Sequence, residues 1–542
     1  MKKIYLFSML LLATLTGFAQ FTPTTYRGAF APAPIPMWTE NWTEYNPQDK
    51  IYNAPTVTVT ANITVNTIWT AGNTYALGGQ IYVKNNATLT IEPGVVIRSN
   101  VLGAALLVTR GSKLIAEGTV TQPIVFTSAN TPGNRNKGDW GGVVLLGQGA
   151  FNINAGINTI EGVAVPVGTT DTTYGGGTTP DDNDNSGILK YVRIEYAGYA
   201  YASNAEINGL TMGAVGRGTT VDYVQVSYAN DDSFEWFGGA VNCSHLVAFN
   251  GFDDDFDTDN GFSGKVQFCL AIKDPAVADV SESNCFESDN NRTSVDGTKF
   301  TTSIFSNCTL VGPTFRSTLP NGSAVNPLHK RGAHLRRNTQ LQIWNSIFMD
   351  FVDGVVVDGN TTTTNATNNT LKFKSNIIAG TAAAKVAVKV ESPTTAFDVA
   401  TWFSSNNNTS QTDSAGLLTA PYNKDDGSIF TGLDYRPAVG SIALTGADFA
   451  TLATDKFASN AEFSLKVYPN PSANSFKLNY ISSSDEKVKV SAYDLTGRLL
   501  ESRNVEYADI NNQEIGNSYN AGVYIVVLKQ GDISKSVRVI KN

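Results

Sequence analysis

Carboxylates spaced to meet on one surface are the most suggestive chemistry in this chain. Ser233-Phe234-Glu235, Asp255-Phe256-Asp257 and Cys285-Phe286-Glu287 repeat one element, with offsets of 22 and 30 between successive phenylalanines. If the phenylalanines stack inward on successive turns of a coil, Glu235, Asp257 and Glu287 point outward as a ladder, with neighbouring strands about 4.8 Å apart. Asp255 and Asp259 flank Asp257 at alternate positions and Asp289 joins from the next turn, so six carboxylates are expected on one surface. Like charges this close raise one another's pKa and destabilise a sheet unless something neutralises them. Either Arg292, Arg336 and Arg337 pair with the ladder or a cation holds it, and calcium, with about six to eight oxygen ligands, is the expected cofactor in the second case.

A second acidic stretch, Asp181-Asp182-Asn183-Asp184-Asn185-Ser186-Gly187, places Asp182, Asp184 and Ser186 at alternating positions before a glycine, as at the start of a calcium loop. The twelfth position, where such a loop needs an acid, is Arg193, so this is not an EF-hand. His245, His329 and His334 show no zinc spacing, and Cys243, Cys269, Cys285 and Cys308 contain no Cys-x-x-Cys pair. The four cysteines permit three disulfide pairings in an exported chain, or none if they are buried thiols; Cys269 and Cys308 have similar strand contexts and are expected as neighbours. No nucleophile triad is legible. Arg336 and His334 are the catalytic candidates, because their strand is expected beside the ladder.

The elements that position these groups follow from self-alignment. At an offset of 25, Ile81 falls on Leu106, Val83 on Val108, Leu89 on Leu114 and Ile91 on Ala116; at 22, Val224 falls on Leu246 and then Phe268, and Val226 on Ala248 and then Leu270. Alternating apolar residues repeated at that length mean parallel strands stacked turn upon turn. The expected fold is all-β: a right-handed parallel β-helix followed by a small antiparallel β-sandwich. A leucine-rich solenoid is excluded by the missing Leu-x-x-Leu-x-Leu pattern. With charged residues at 16% and a net charge of −9, nucleic acid is not an expected partner.

The ends carry separate signals. Lys2 and Lys3, an apolar run from Ile4 to Leu15 and Gly17-Phe18-Ala19 predict a signal peptide over residues 1–19, cut before Gln20. No later stretch approaches the roughly 20 apolar residues of a membrane span. Residues 20–70, with Trp38 and Trp42, are expected to extend and cap the N-terminal end of the solenoid, residues 71–461 to form the β-helix with its loops and closing cap, and residues 462–542 a separate unit. That last unit runs through Tyr468-Pro469-Asn470-Pro471, a turn at Gly497, and Ser536-Val537-Arg538-Val539-Ile540-Lys541-Asn542. In this order the pieces resemble the C-terminal sorting domain of Bacteroidota type IX secretion cargo. The resemblance implies export through the periplasm to the outer surface or beyond, with the secretion machinery and its surface protease as partners.

Between about residues 70 and 450, Asp139-Trp140-Gly141-Gly142, Leu189-Lys190-Tyr191-Val192-Arg193-Ile194-Glu195 and Arg331-Gly332-Ala333-His334-Leu335-Arg336-Arg337 resemble stations of exported Bacteroidota β-helix proteins on a pectate-lyase-like scaffold. A fold and a location follow from this, but no reaction. The expected function is binding of extracellular glycan or matrix on an extended flank, with calcium holding the acidic face. Two alternatives stand beside it: a lyase or glycoside hydrolase acting on acidic polysaccharide, in which Arg336 would remove the proton next to a uronate carboxylate, and a structural or adhesive surface protein.

Overall fold

The computed structural model describes residues 21–202, 205–293, 299–315, 323–381, 387–422, 432–452, 464–481, 487–494, 497–530 and 533–542. The signal peptide and the expected boundary at residues 461–462 lie outside them. Two compact units result, Met1–Asp448 and Phe449–Asn542. Among the described residues, no helix is long and apolar enough to cross a membrane.

The first unit is a parallel β-helix. Its strands stack into a ten-stranded sheet, running from Gln80–Val83 to Val388–Glu391, and a 17-stranded sheet that wraps the remaining flanks. The wrapping arises where long strands bend. Gly187–Glu195, Thr220–Ser227, Asn242–Phe249, Lys265–Ile272 and Ile304–Val311 each carry one left-handed residue in mid-strand: Tyr191, Tyr223, His245, Phe268 and Asn307, with φ of +50°, +56°, +53°, +61° and +56°. Such a conformation costs a non-glycine residue roughly 1–2 kcal/mol. Aromatic stacking down the bend offsets it, with ring centroids 4.5 Å apart for Tyr191–Tyr223, 4.2 Å for Tyr223–His245 and 5.2 Å for His245–Phe268.

The expected pairings of Ile81 with Leu106, Val83 with Val108, Leu89 with Leu114 and Ile91 with Ala116 are present, as is Val224 with Leu246. The next step differs by one residue: Leu246 pairs with Cys269 rather than Phe268, and Ala248 with Ala271 rather than Leu270. That turn is one residue longer, and Phe268 takes the bend beneath His245. Cys269 and Cys308 are register partners, and all four cysteines are buried free thiols. Inside, Phe234, Phe256 and Phe286 stack at 5.8 and 5.2 Å and are fully buried.

The N-terminal segment does not act as expected. Strands Val57–Val59 and Thr67–Trp69 already belong to the solenoid, which therefore starts before residue 71. Upstream, the chain is a strap along the outside of the 17-stranded sheet. Trp42 meets Tyr191 and Tyr223 edge-on, Trp38 meets His245, and Arg27 donates to the carbonyls of Ile442 and Thr445 near the far end. On the flank the two tryptophans meet a ready-made stack of tyrosine and histidine rings, and Trp42 is fully buried there. At the C-terminal side, helix Val399–Ser405 lays Trp402 and Phe403 against Phe373 and covers the last core layer.

The second unit pairs a three-stranded antiparallel sheet with a four-stranded one over a core that includes Phe476, Leu478, Tyr480, Val490, Val526 and Leu528. Tyr468, Pro469 and Asn470 are exposed. The Asn470 side chain donates to the Arg538 carbonyl at 2.8 Å and accepts from the Ile540 amide at 2.9 Å, which ties the start of the unit to its last strand, Ile533–Lys541. Ser472 in the turn after Pro471 bridges to Lys541. Gly497 has φ +82° with open space where a Cβ would stand, and its amide donates to the Asp494 carbonyl.

Candidate cation site on the carboxylate ladder

Strands Phe234–Phe237, Phe256–Asp259, Phe286–Ser288 and Arg331–Leu335 lie side by side in register. With Phe234, Phe256 and Phe286 inward, Glu235, Asp257, Glu287 and His334 are consecutive outward neighbours. Insertions after Ile272 and Val311 lengthen the chain between turns without shifting the pairing, so spacings of 22, 30 and 47 residues still deliver one row. Asp259 sits one step along from Asp257, opposite Phe237.

The downstream half of the row is neutralised by protein cations. Arg336 pairs with Glu287, and its Nε reaches Asp289 Oδ1 at 2.8 Å; Arg337 reaches Asp289 Oδ2 at 2.6 Å. His334 stands between Asp358 at 3.2 Å and Glu287 at 3.7 Å. Burial pushes Glu287 upward, but His334 and Arg336 outweigh it and hold the carboxyl below its ordinary value. Burial likewise works against the charge of His334 and Arg336, and the surrounding carboxylates still raise both. A guanidinium held this firmly protonated is the reverse of what proton abstraction needs, so the geometry makes Arg336 a counter-ion rather than a base. Arg292 lies exposed.

Upstream, the carboxylates meet one another. Oxygens of Asp232, Glu235 and Asp257 lie within 4.8 Å of one another, as do those of Asp231, Asp232 and Asp253. Burial first, and neighbouring carboxylates second, push Asp231, Asp232, Glu235, Asp253 and Asp257 well above the ordinary range. Asp254 rises to about 7 and Asp259 to about 8 for the same first reason. Asp232 Oδ1 accepts the Asp254 amide at 2.9 Å, whereas Asp257 Oδ1 is buried without a partner. Asn208, 1% exposed, donates its amide to Glu235 and leaves its own Oδ1 buried and unpartnered. The three carboxylates of Asp232, Glu235 and Asp257 form a hard, all-oxygen donor set suited to calcium rather than to zinc or copper.

Asp255 departs from the sequence expectation. It is fully buried at the corner before its strand, 3.3 Å from Lys273 Nζ, and does not share the outer row. Lys273, equally buried, also donates to the Asp253 carbonyl. Of Asp182, Asp184 and Ser186, only the last two touch each other. Asp182 accepts from the Ala150 amide at 2.9 Å and pairs with Lys299 at 3.3 Å, while Asp184 receives Gln148 and Ser186, each at 3.3 Å. These contacts tie a loop down. Asp231, Asp232, Asp253 and Asn208 went unnoticed in the sequence, although Asp231-Asp232 and Asp253-Asp254 share the 22-residue offset of the phenylalanines.

A parallel β-helix with a hard-donor acidic flank and a separate antiparallel C-terminal unit defines a two-unit solenoid protein. The model of the pectate-lyase-like β-helix domain matches residues 61–424, and the chain belongs to that family. The secretion system C-terminal sorting domain matches residues 466–542, which places the protein among type IX cargo delivered to the cell surface or the extracellular space. Neither a curated protein nor a solved structure matches the chain.

Proposed function

We propose that this protein binds extracellular polysaccharide or matrix along the flank of its ten-stranded sheet, with a calcium ion held by Asp232, Glu235 and Asp257. The observation that carries the reading is the contrast within one row: the upstream carboxylates crowd together with unpartnered buried oxygens, while their downstream neighbours have arginines. Bringing charges this close in a partly dry environment is costly unless protons or a cation intervene. A rigid sheet supplies the preorganised oxygens a calcium site requires, and a calcium ion with open coordination positions can bridge to carboxylate or hydroxyl groups of a glycan.

Calorimetric titration of chelator-stripped protein with calcium tests the cation, and a glycan array read with calcium or with chelator tests the ligand. Calcium binding in the wild type that Asp257→Asn abolishes, together with glycan signals that need calcium, is the expected result. No heat at millimolar calcium would overturn the site. Calcium binding with glycan signals indifferent to chelator would leave a structural ion and remove its bridging role.

A further inference from the structure

Lys273 and Asp255 form a fully buried ion pair. Lys273 is the first residue after strand Lys265–Ile272, and Asp255 the last before strand Phe256–Asp259. Each backbone is fixed to the rung that follows: the Lys273 amide donates to the Val311 carbonyl at 3.0 Å, and the Asp255 amide to the Cys285 carbonyl at 3.1 Å. The side chains then meet beneath the surface, with Lys273 Nζ 3.3 Å from Asp255 Oδ2 and exposures of 1% and 0%. By contrast, Lys50, Lys84, Lys299, Lys330 and Lys389, which also pair with carboxylates, are all at least 17% exposed. A second hydrogen bond, to the Asp253 carbonyl, pins the ammonium in place. Lys137, the other ammonium near Asp255, donates to the Asn250 carbonyl instead.

Burial works against the charge of Lys273, and the carboxylates of Asp255, Asp254 and Asp253 outweigh it, so the pair rests as ions. Each ion taken this far out of water carries a desolvation cost that a neutral amide does not. Groups held together in the right orientation react as though present at about 10⁵–10⁸ M. Where water is excluded, condensation is favoured over hydrolysis. The chain also lacks the usual covalent tie of an exported protein, since its four cysteines are free thiols.

We propose that Lys273 and Asp255 condense after folding into an intramolecular amide that closes one rung of the solenoid. One proton passes from Nζ to the Asp255 carboxylate, and the freed lone pair on Nζ adds to Cγ. The new N–C bond replaces a C–O bond, and that oxygen leaves as water with the transferred proton and a second one from Nζ. An ammonium and a carboxylate become one amide and one water, so no oxidant, metal or outside acid is consumed. The link constrains the unfolded chain as a disulfide does, but is indifferent to reductants.

Mass spectrometry of tryptic digests of the folded full chain tests the link. The peptide that ends at Lys265 and carries Asp255 should appear joined to one that reads through an uncleaved Lys273, the pair lighter than the sum of its parts by one water. Wild-type chain recovered from inclusion bodies and kept in urea should give the two peptides apart, and should acquire the joined pair on refolding. Lys273→Arg keeps the charge but is a poor nucleophile, and its folded form should give separate fragments. Should that variant fail to fold, the refolding of wild type decides alone. Separate peptides from folded wild type, a junction at Lys137 rather than Lys273, or a joined pair already present in the urea-held chain would each overturn the proposal.

Discussion

Glu235 and Asp257 on one side, and Glu287 and Asp289 on the other, occupy one flank of one sheet, yet they are solved differently. Both halves come from the same Phe-acid element, and the core beneath them is continuous, Phe234 on Phe256 on Phe286. The downstream half borrows Arg336 and Arg337 from the following strand and corner. The upstream half faces Thr211 and the Asp231-Asp232 corner, where its neighbours are hydroxyls and more carboxylates. A repeated motif therefore dictates where side chains stand and says little about what neutralises them. That is decided turn by turn by the sequence of the adjoining rung.

Breaking what the halves share should have the largest effect. Phe256→Asp puts a charge between two stacked rings at a fully buried position and is expected to cost more than about 5 kcal/mol, combining lost packing with an unpaired buried charge. Thermal unfolding followed by circular dichroism would show collapse of the cooperative transition. An unchanged melting temperature would mean that residue 256 faces outward, with the whole row displaced by one.

Removing the counter-ion from the downstream half comes next. Arg336→Gln leaves Glu287 with His334 alone and Asp289 with Arg337 alone, a loss of about 3 kcal/mol for a largely buried pair. Denaturant unfolding at pH 7 should show this loss, and it should shrink at low pH. The sign follows from Glu287, whose carboxyl is held below its ordinary value: its contribution is full above that value and disappears as pH falls through the lowered one. A variant equally destabilised at every pH would point to packing rather than charge. Calcium is expected to do for the upstream half what Arg336 does downstream. At a hundredfold excess over its dissociation constant it should add about 2.7 kcal/mol to the wild type and nothing to Asp257→Asn; equal stabilisation of both proteins would place the ion elsewhere.

Much of this arrangement was legible in advance. Alternating apolar residues at a fixed offset specify parallel stacking, and the phenylalanines specify which side is in, so Glu235, Asp257 and Glu287 could be aligned across insertions of unequal length. Asp255 was misplaced because alternation holds only inside a strand; at the corner before Phe256 the backbone turns, and Lys273, 18 residues later in the chain, draws the carboxylate inward. The position of Arg336 depends on how the segment inserted between Thr309 and Lys330 leaves and rejoins the column, which its length in sequence does not fix. The strap departs from the expected end cap for a related reason, since aromatic residues announce burial but not the surface that buries them.

The smallest expected effect discriminates most finely, because it has opposite signs in the two halves. In chelator, the upstream carboxyls are protonated in the folded state at pH values where the unfolded chain has released its protons. Asp254, at about 7, and Asp259, at about 8, mark the window, whose lower edge is the ordinary aspartate value of about 3.9. Across it the folded protein binds more protons than the unfolded chain, so the upstream half loses stability as pH rises toward 8, while Glu287 downstream keeps its full contribution. Asp257→Asn removes a carboxyl whose ionisation the folded state disfavours and should therefore stabilise the calcium-free protein at pH 8, by about 0.5–1 kcal/mol, the scale of a single repulsive cross-strand contact. The effect should shrink as pH falls toward the ordinary aspartate value, because burial and neighbouring carboxylates hold the Asp257 carboxyl well above it in the folded chain. Melting temperatures of wild type and variant across this range, in chelator, decide the matter. A variant that is less stable at pH 8 would show that Asp257 has a favourable partner in the folded chain, and the distinction between the two halves of the ladder would fall with it.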